Sequence, residues 1–74
     1  MDLPCYFIVG ERPVKFVRTP EGGMEVLAFD WGTGEFVREM SYLSRCLLGK
    51  GEIDVVSEAE FEARAAELRA RLRR

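Results

Sequence analysis

The groups in this chain with intrinsic reactivity are two thiols, Cys5 and Cys46, and a scatter of carboxylates; histidine is absent, as are asparagine and glutamine. Histidine is the usual general base near neutral pH and the commonest metal ligand. Its absence removes most nucleophile–base pairs and most zinc sites from consideration. A cysteine acts as a nucleophile only as thiolate, which needs a base or a cation beside it. Arg45 precedes Cys46, but adjacent residues of a helix point in different directions. Cys5 lies in an apolar run, where burial disfavours the thiolate. Both are expected to be buried, inert thiols, able to form one disulfide at most.

The loop Asp30-Trp31-Gly32-Thr33-Gly34-Glu35 brings two carboxylates and two glycines together. It lacks the ligand ladder of a calcium loop and the Lys-Ser/Thr of a phosphate-binding loop. A four-residue hairpin connection accounts for it better, with glycine supplying positive φ. The carboxylate pairs Glu35/Glu39 and Glu52/Asp54 would need a cleft between them for acid–base work. Solvated charge is the expected state of both. The chain is therefore expected not to be an enzyme, and no catalytic residue, metal, cofactor or small-molecule ligand is predicted.

Two clusters suit binding better than reaction. Tyr6, Ile8, Phe16, Trp31 and Phe36 are large apolar residues on strand-like segments, the expected surface for a protein partner. Lys15, Arg18 and Arg38 lie close in sequence to several of these aromatics. Exposed aromatics stack bases while arginines hold phosphates, so a nucleic-acid accessory domain is the alternative expectation. The net charge of −2 disfavours nucleic-acid binding by the whole surface.

These groups must be held by a single domain, residues 1–74, which is near the lower limit for independent folding. Pro4 to Val9 is a continuous apolar run, read as a strand buried on both faces. Gly10 to Pro13 reads as a turn and Val14 to Thr19 as a second strand. Pro20-Glu21-Gly22-Gly23 is turn chemistry. A third strand is expected over Met24 to Trp31 and a short fourth over Glu35 to Arg38. Short connections predict an antiparallel meander of three to four strands over residues 4–38.

Met40, Leu43 and Leu47 have helical spacing, and Gly49-Lys50-Gly51 stops the pattern, so a short helix is expected over 40–48. Glu52 to Val56 is either a brief strand or an extended connector. A longer amphipathic helix is expected over 58–73, packed on the sheet. Ser57 and Glu60 form a capping box, with Val56 and Phe61 at the staple positions. Phe61, Ala65, Leu68 and Leu72 make one apolar stripe. Glu58, Glu60 and Glu62 lie in the first turn; Arg69, Arg71, Arg73 and Arg74 lie in the last, matching the helix dipole. Glu60/Arg64 and Glu67/Arg71 are correctly oriented i, i+4 pairs. The fold class is α+β.

A meander whose first strand is apolar on both faces needs cover on both. Either the two helices and the linker wrap both faces, or one face stays open and a second copy of the chain covers it, the second being the leading expectation. The leading functional expectation is a small interaction or regulatory module, homodimeric or bound to another protein, with no membrane role. Met1-Asp2-Leu3-Pro4 lacks the features of a secretory signal, and no apolar stretch approaches about 20 residues, so a cytoplasmic protein is expected. Arginine outnumbers lysine nine to two without any amide side chain, which points to a bacterial, GC-rich or thermophilic source.

The capping box generates a direct expectation: Ser57→Ala costs about 1 kcal/mol of stability, read as a lower midpoint in urea unfolding.

Overall fold

The computed structural model describes residues 2–49 and 51–73. Met1, Lys50 of the Gly-Lys-Gly stop and Arg74 of the last helical turn lie outside the described residues. The elements run β1 (Cys5–Val9), β2 (Arg12–Arg18), β3 (Met24–Phe29), β4 (Phe36–Arg38), α1 (Tyr42–Leu48), β5 (Ile53–Val56) and α2 (Glu58–Leu72). The fold is α+β, an antiparallel sheet with a short helix and a longer C-terminal helix packed on it.

The sheet has five strands in the order β4-β3-β2-β1-β5. The first four are the expected meander. The segment read as either strand or connector is a strand, paired antiparallel with β1 from Tyr6↔Val56 to Val9↔Ile53. That pairing makes β1 a central strand, which is why its run is apolar on both sides.

Several boundaries move for identifiable reasons. Val9 pairs with Arg12, so the first hairpin connection is Gly10-Glu11 alone, with Gly10 at φ 64°. Pro13 therefore lies inside β2, not in the turn. The closing pair at Val9↔Arg12 directs residues 12, 14 and 16 toward β1, leaving 13, 15 and 17 to bond toward β3. Pro13 has no N–H for the carbonyl of Phe29. Arg12 supplies the missing donor from its side chain, Nε to that carbonyl at 2.7 Å. The third strand ends at Phe29, two residues short of Trp31, because Asp30 turns the chain.

The register sorts side chains into two faces. Tyr6, Ile8, Lys15, Leu27, Phe29 and Phe36 share the face under α2. Phe7, Val9, Val14, Phe16, Val26 and Ala28 form the buried cluster on the other face, with Tyr42, Leu43 and Cys46 of α1 packed against it. The two helices thus lie on opposite faces of the sheet. Of the two arrangements anticipated, the one present is a helix on each face, α1 packing on the face that α2 leaves.

α2 begins with the expected capping box. Glu60 N–H donates to Ser57 Oγ (3.1 Å) and Ser57 N–H donates to Glu60 Oε1 (3.2 Å). The cap occupies the Glu60 carboxylate, and of the two anticipated helix pairs the ion pair present among the described residues is Arg71–Glu67 at 2.8 Å. Phe61 and Ala65 are fully buried and Leu68 nearly so, whereas Leu72 projects past the sheet and is exposed. Gly49 ends α1 in the left-handed region at φ 66°, donating its N–H to Arg45 O.

Phe61 anchors α2: its ring lies 4.9 Å from Tyr6 and 5.3 Å from Phe36, centroid to centroid. Phe61→Ala is expected to lower stability by about 3–5 kcal/mol, a large fraction of what a domain this size possesses. Chemical denaturation measures it; a loss below about 1 kcal/mol would show that α2 is not seated through this ring.

Candidate functional site

An aromatic series crosses the α2 face. Tyr6, Phe61, Phe36, Phe29 and Trp31 follow one another at centroid separations of 4.9, 5.3, 5.8 and 5.4 Å. Cations lie over its middle: Lys15 Nζ is 4.8 Å from the Phe36 centroid and Arg69 Cζ 5.6 Å. Such contacts stabilise by about 0.5–1 kcal/mol each where solvent reaches them. Arg69 is further held by donation from Nε to the Gly34 carbonyl at 2.7 Å. The arrangement ties the C-terminal half of α2 to the β3–β4 connection.

The residues expected to form a partner surface are therefore dispersed in environment. Ile8 is buried, and Phe16 is fully buried on the opposite face from Tyr6 and Phe36. Tyr6 and Phe36 are half-buried against Phe61. Trp31 alone of the five is exposed, at 45%. Alternating aromatics carry no sign of which side a helix will choose, so their sequence could not separate core from surface.

The basic trio is divided too. Lys15, Leu27 and Arg38 occupy one cross-strand row on the α2 face. Arg18 pairs with Met24 in the set directed to the other face. Lys15 is engaged with Phe36, and Arg18 and Arg38 are exposed on opposite sides. No single stripe collects all three, which is what a phosphate backbone requires.

The Asp30 loop is a closed hairpin connection. Asp30 N–H donates to Glu35 O and Gly34 N–H to Asp30 O, both at 2.8 Å. The Asp30 carboxylate accepts from Thr33 Oγ1 (2.8 Å) and Gly32 N–H (3.3 Å). The hydrogen bond from Thr33, then that from Gly32, holds this carboxyl below its ordinary pKa, with Arg12 adding a smaller attraction. Gly34 is required at φ 77°, and a Cβ there would meet Arg69 Cγ at 3.2 Å. Between this loop and the end of α2 is a cleft of about 200 Å³, bordered by Thr33, Gly34, Arg69, Leu72 and Arg73. Ligand pockets usually span about 300–1,000 Å³. Among the described residues, no three His, Cys, Asp or Glu side chains gather as a metal-binding set.

Both cysteines are free thiols, half-buried against the cluster under α1. Cys5 Sγ donates to Asp2 O at 2.7 Å. Burial pushes the Cys46 pKa up, and the Arg45 guanidinium offsets part of that rise. Tyr6 Oη donates to Glu58 Oε2 at 2.7 Å, and this bond raises the tyrosyl pKa.

The feature that sequence reasoning missed lies at the β5 edge. Among the described residues, the most exposed large apolar ones are Val55 (78%), Leu48 (65%) and Leu47 (56%). Val55 belongs to the edge strand, and Leu47 and Leu48 are the last residues of α1. The signal available in the sequence was Val55-Val56 beside Leu47-Leu48, two apolar doublets that cannot each bury both members.

No family model, curated protein or solved structure matches this chain. Among the described residues, no helix is long and apolar enough to cross a membrane.

A raised thiol pKa has a defined consequence. The folded state keeps the Cys46 proton to higher pH than the unfolded chain does, so the associated stability is complete below the ordinary thiol value. It is lost as pH rises through that value toward the folded one. Cys46→Ala is expected to flatten the alkaline limb of the stability–pH curve. The same thiol in the wild-type chain should react with iodoacetamide at pH 8 more slowly than free cysteine. A faster reaction would mean that Arg45, not burial, controls it.

Proposed function

We propose that this chain is a small non-enzymatic interaction module of the cytoplasm that binds a protein partner, foremost a second copy of itself. One observation carries the reading: Val55, on an edge strand with no outer strand partner among the described residues, is 78% exposed, and Leu47 and Leu48 at the end of α1 are exposed as well. Apolar exposure at an unpaired sheet edge is a usual mark of a contact surface. The α2 face, with its aromatics seated on the helix, serves the fold. The α1 face and the β5 edge supply the contact.

A module of this kind recognises shape and apolar area, so its association responds weakly to salt. Binding through phosphates would instead weaken steeply as salt rises. Light scattering coupled to gel filtration, run over a range of concentrations at low and high salt, tests the reading. A dimeric mass largely indifferent to salt is expected. A monomer at every concentration, together with salt-sensitive retention of RNA, would overturn it in favour of the nucleic-acid alternative.

A further inference from the structure

The ladder between β1 and β5 determines which groups of the edge are free. Gly10 N–H donates to Glu52 O at 2.7 Å, and the register runs from Val9↔Ile53 to Tyr6↔Val56. Alternate residues of an antiparallel strand bond to opposite sides. Residues 52, 54 and 56 therefore bond inward to β1. The N–H and C=O groups of Ile53 and Val55 point outward, and among the described residues β5 has no strand neighbour on that side. Edges of this kind are normally blunted by charge, proline or a bulge. Here the outward-bonding Val55 also carries the most exposed large apolar side chain among the described residues.

We propose that β5 pairs antiparallel with β5 of a second copy across a two-fold axis, joining the two sheets into one. This rests on the reading of the chain as a self-associating module and names its contact. The edge complements itself. With Val55 on the axis, each Val55 N–H meets the partner copy's Val55 carbonyl, and the two side chains meet on the α1 face. The register one pair over would put the two Asp54 carboxylates directly opposite, an arrangement that like charge disfavours. The Val55 register sets each Asp54 against the apolar Val56 instead.

An axis perpendicular to the sheet keeps both α1 helices on the same side. The exposed Leu47 and Leu48 belong to α1, so both copies carry them on the side of the joined sheet where the Val55 side chains meet. Pairing β5 with β5 closes on itself, whereas pairing β5 with the three-residue β4 edge would extend without limit.

The experiment uses the full chain. Hydrogen exchange followed by NMR across the concentration range should show the Val55 amide gaining protection as the dimer forms, while the inward Asp54 and Val56 amides are protected throughout. Val55→Pro removes only an outward N–H, because the Phe7↔Val55 pair is not hydrogen-bonded. It should leave the monomer folded and weaken association about tenfold or more, one hydrogen bond being lost from each copy. A dimer whose Val55 amide exchanges equally fast at all concentrations overturns the edge pairing and leaves the self-association reading standing. A monomer throughout overturns both, and leaves the edge to an extended peptide from another protein.

Discussion

The structure depends on one constraint: β1 is apolar on both faces, so both sides of the sheet must be covered by a chain of only 74 residues. The solution is to place one helix on each side. Phe61 does most of this on one face, entering between Tyr6 and Phe36 with the cap of α2 holding the helix start in place. α1 is shorter and covers the other face through Tyr42, Leu43 and Cys46. The asymmetry between a well-seated long helix and a short one explains where the leftover apolar surface appears. It lies at the end of α1 and on the strand that follows it.

Local backbone chemistry adjusts to that frame. Pro13 breaks the ladder between β2 and β3, and Arg12 repairs it by donating to the Phe29 carbonyl while its NH1 group reaches Tyr42 Oη at 3.1 Å. One side chain thereby joins the sheet edge of the hairpin to the helix above it. Asp30 performs a similar task on the other side, organising a connection whose Gly34 carbonyl receives Arg69 from α2. Arg12, Asp30 and Arg69 act here as positioned donors and acceptors to neutral groups. This is why a charge count says little about its partners.

Dispersal of the candidate residues follows from the same economy. In so small a domain nearly every aromatic is needed for the core, so Phe16, Phe29 and Phe61 are consumed by packing. Apart from Trp31, the large apolar residues left exposed are aliphatic, and two of them, Val37 and Val55, lie on the edge strands. Edge location is a property of strand order, and strand order is set by the return of β5 to β1, a pairing between segments more than forty residues apart.

The sequence by itself determined the local elements. The apolar run of β1, the alternation in β2 and β3, the glycine-rich connections and the Ser57/Glu60 cap each act over a few residues, where propensity and hydrogen bonding suffice. Tertiary structure alone decided three further things: that residues 53–56 are a strand, that the helices lie on opposite faces, and that Lys15 and Arg18 part company. Each depends on burial shared between distant segments, which no short window of residues encodes. The candidate contact was legible only as two apolar doublets, because exposure is settled after the core has taken what it needs.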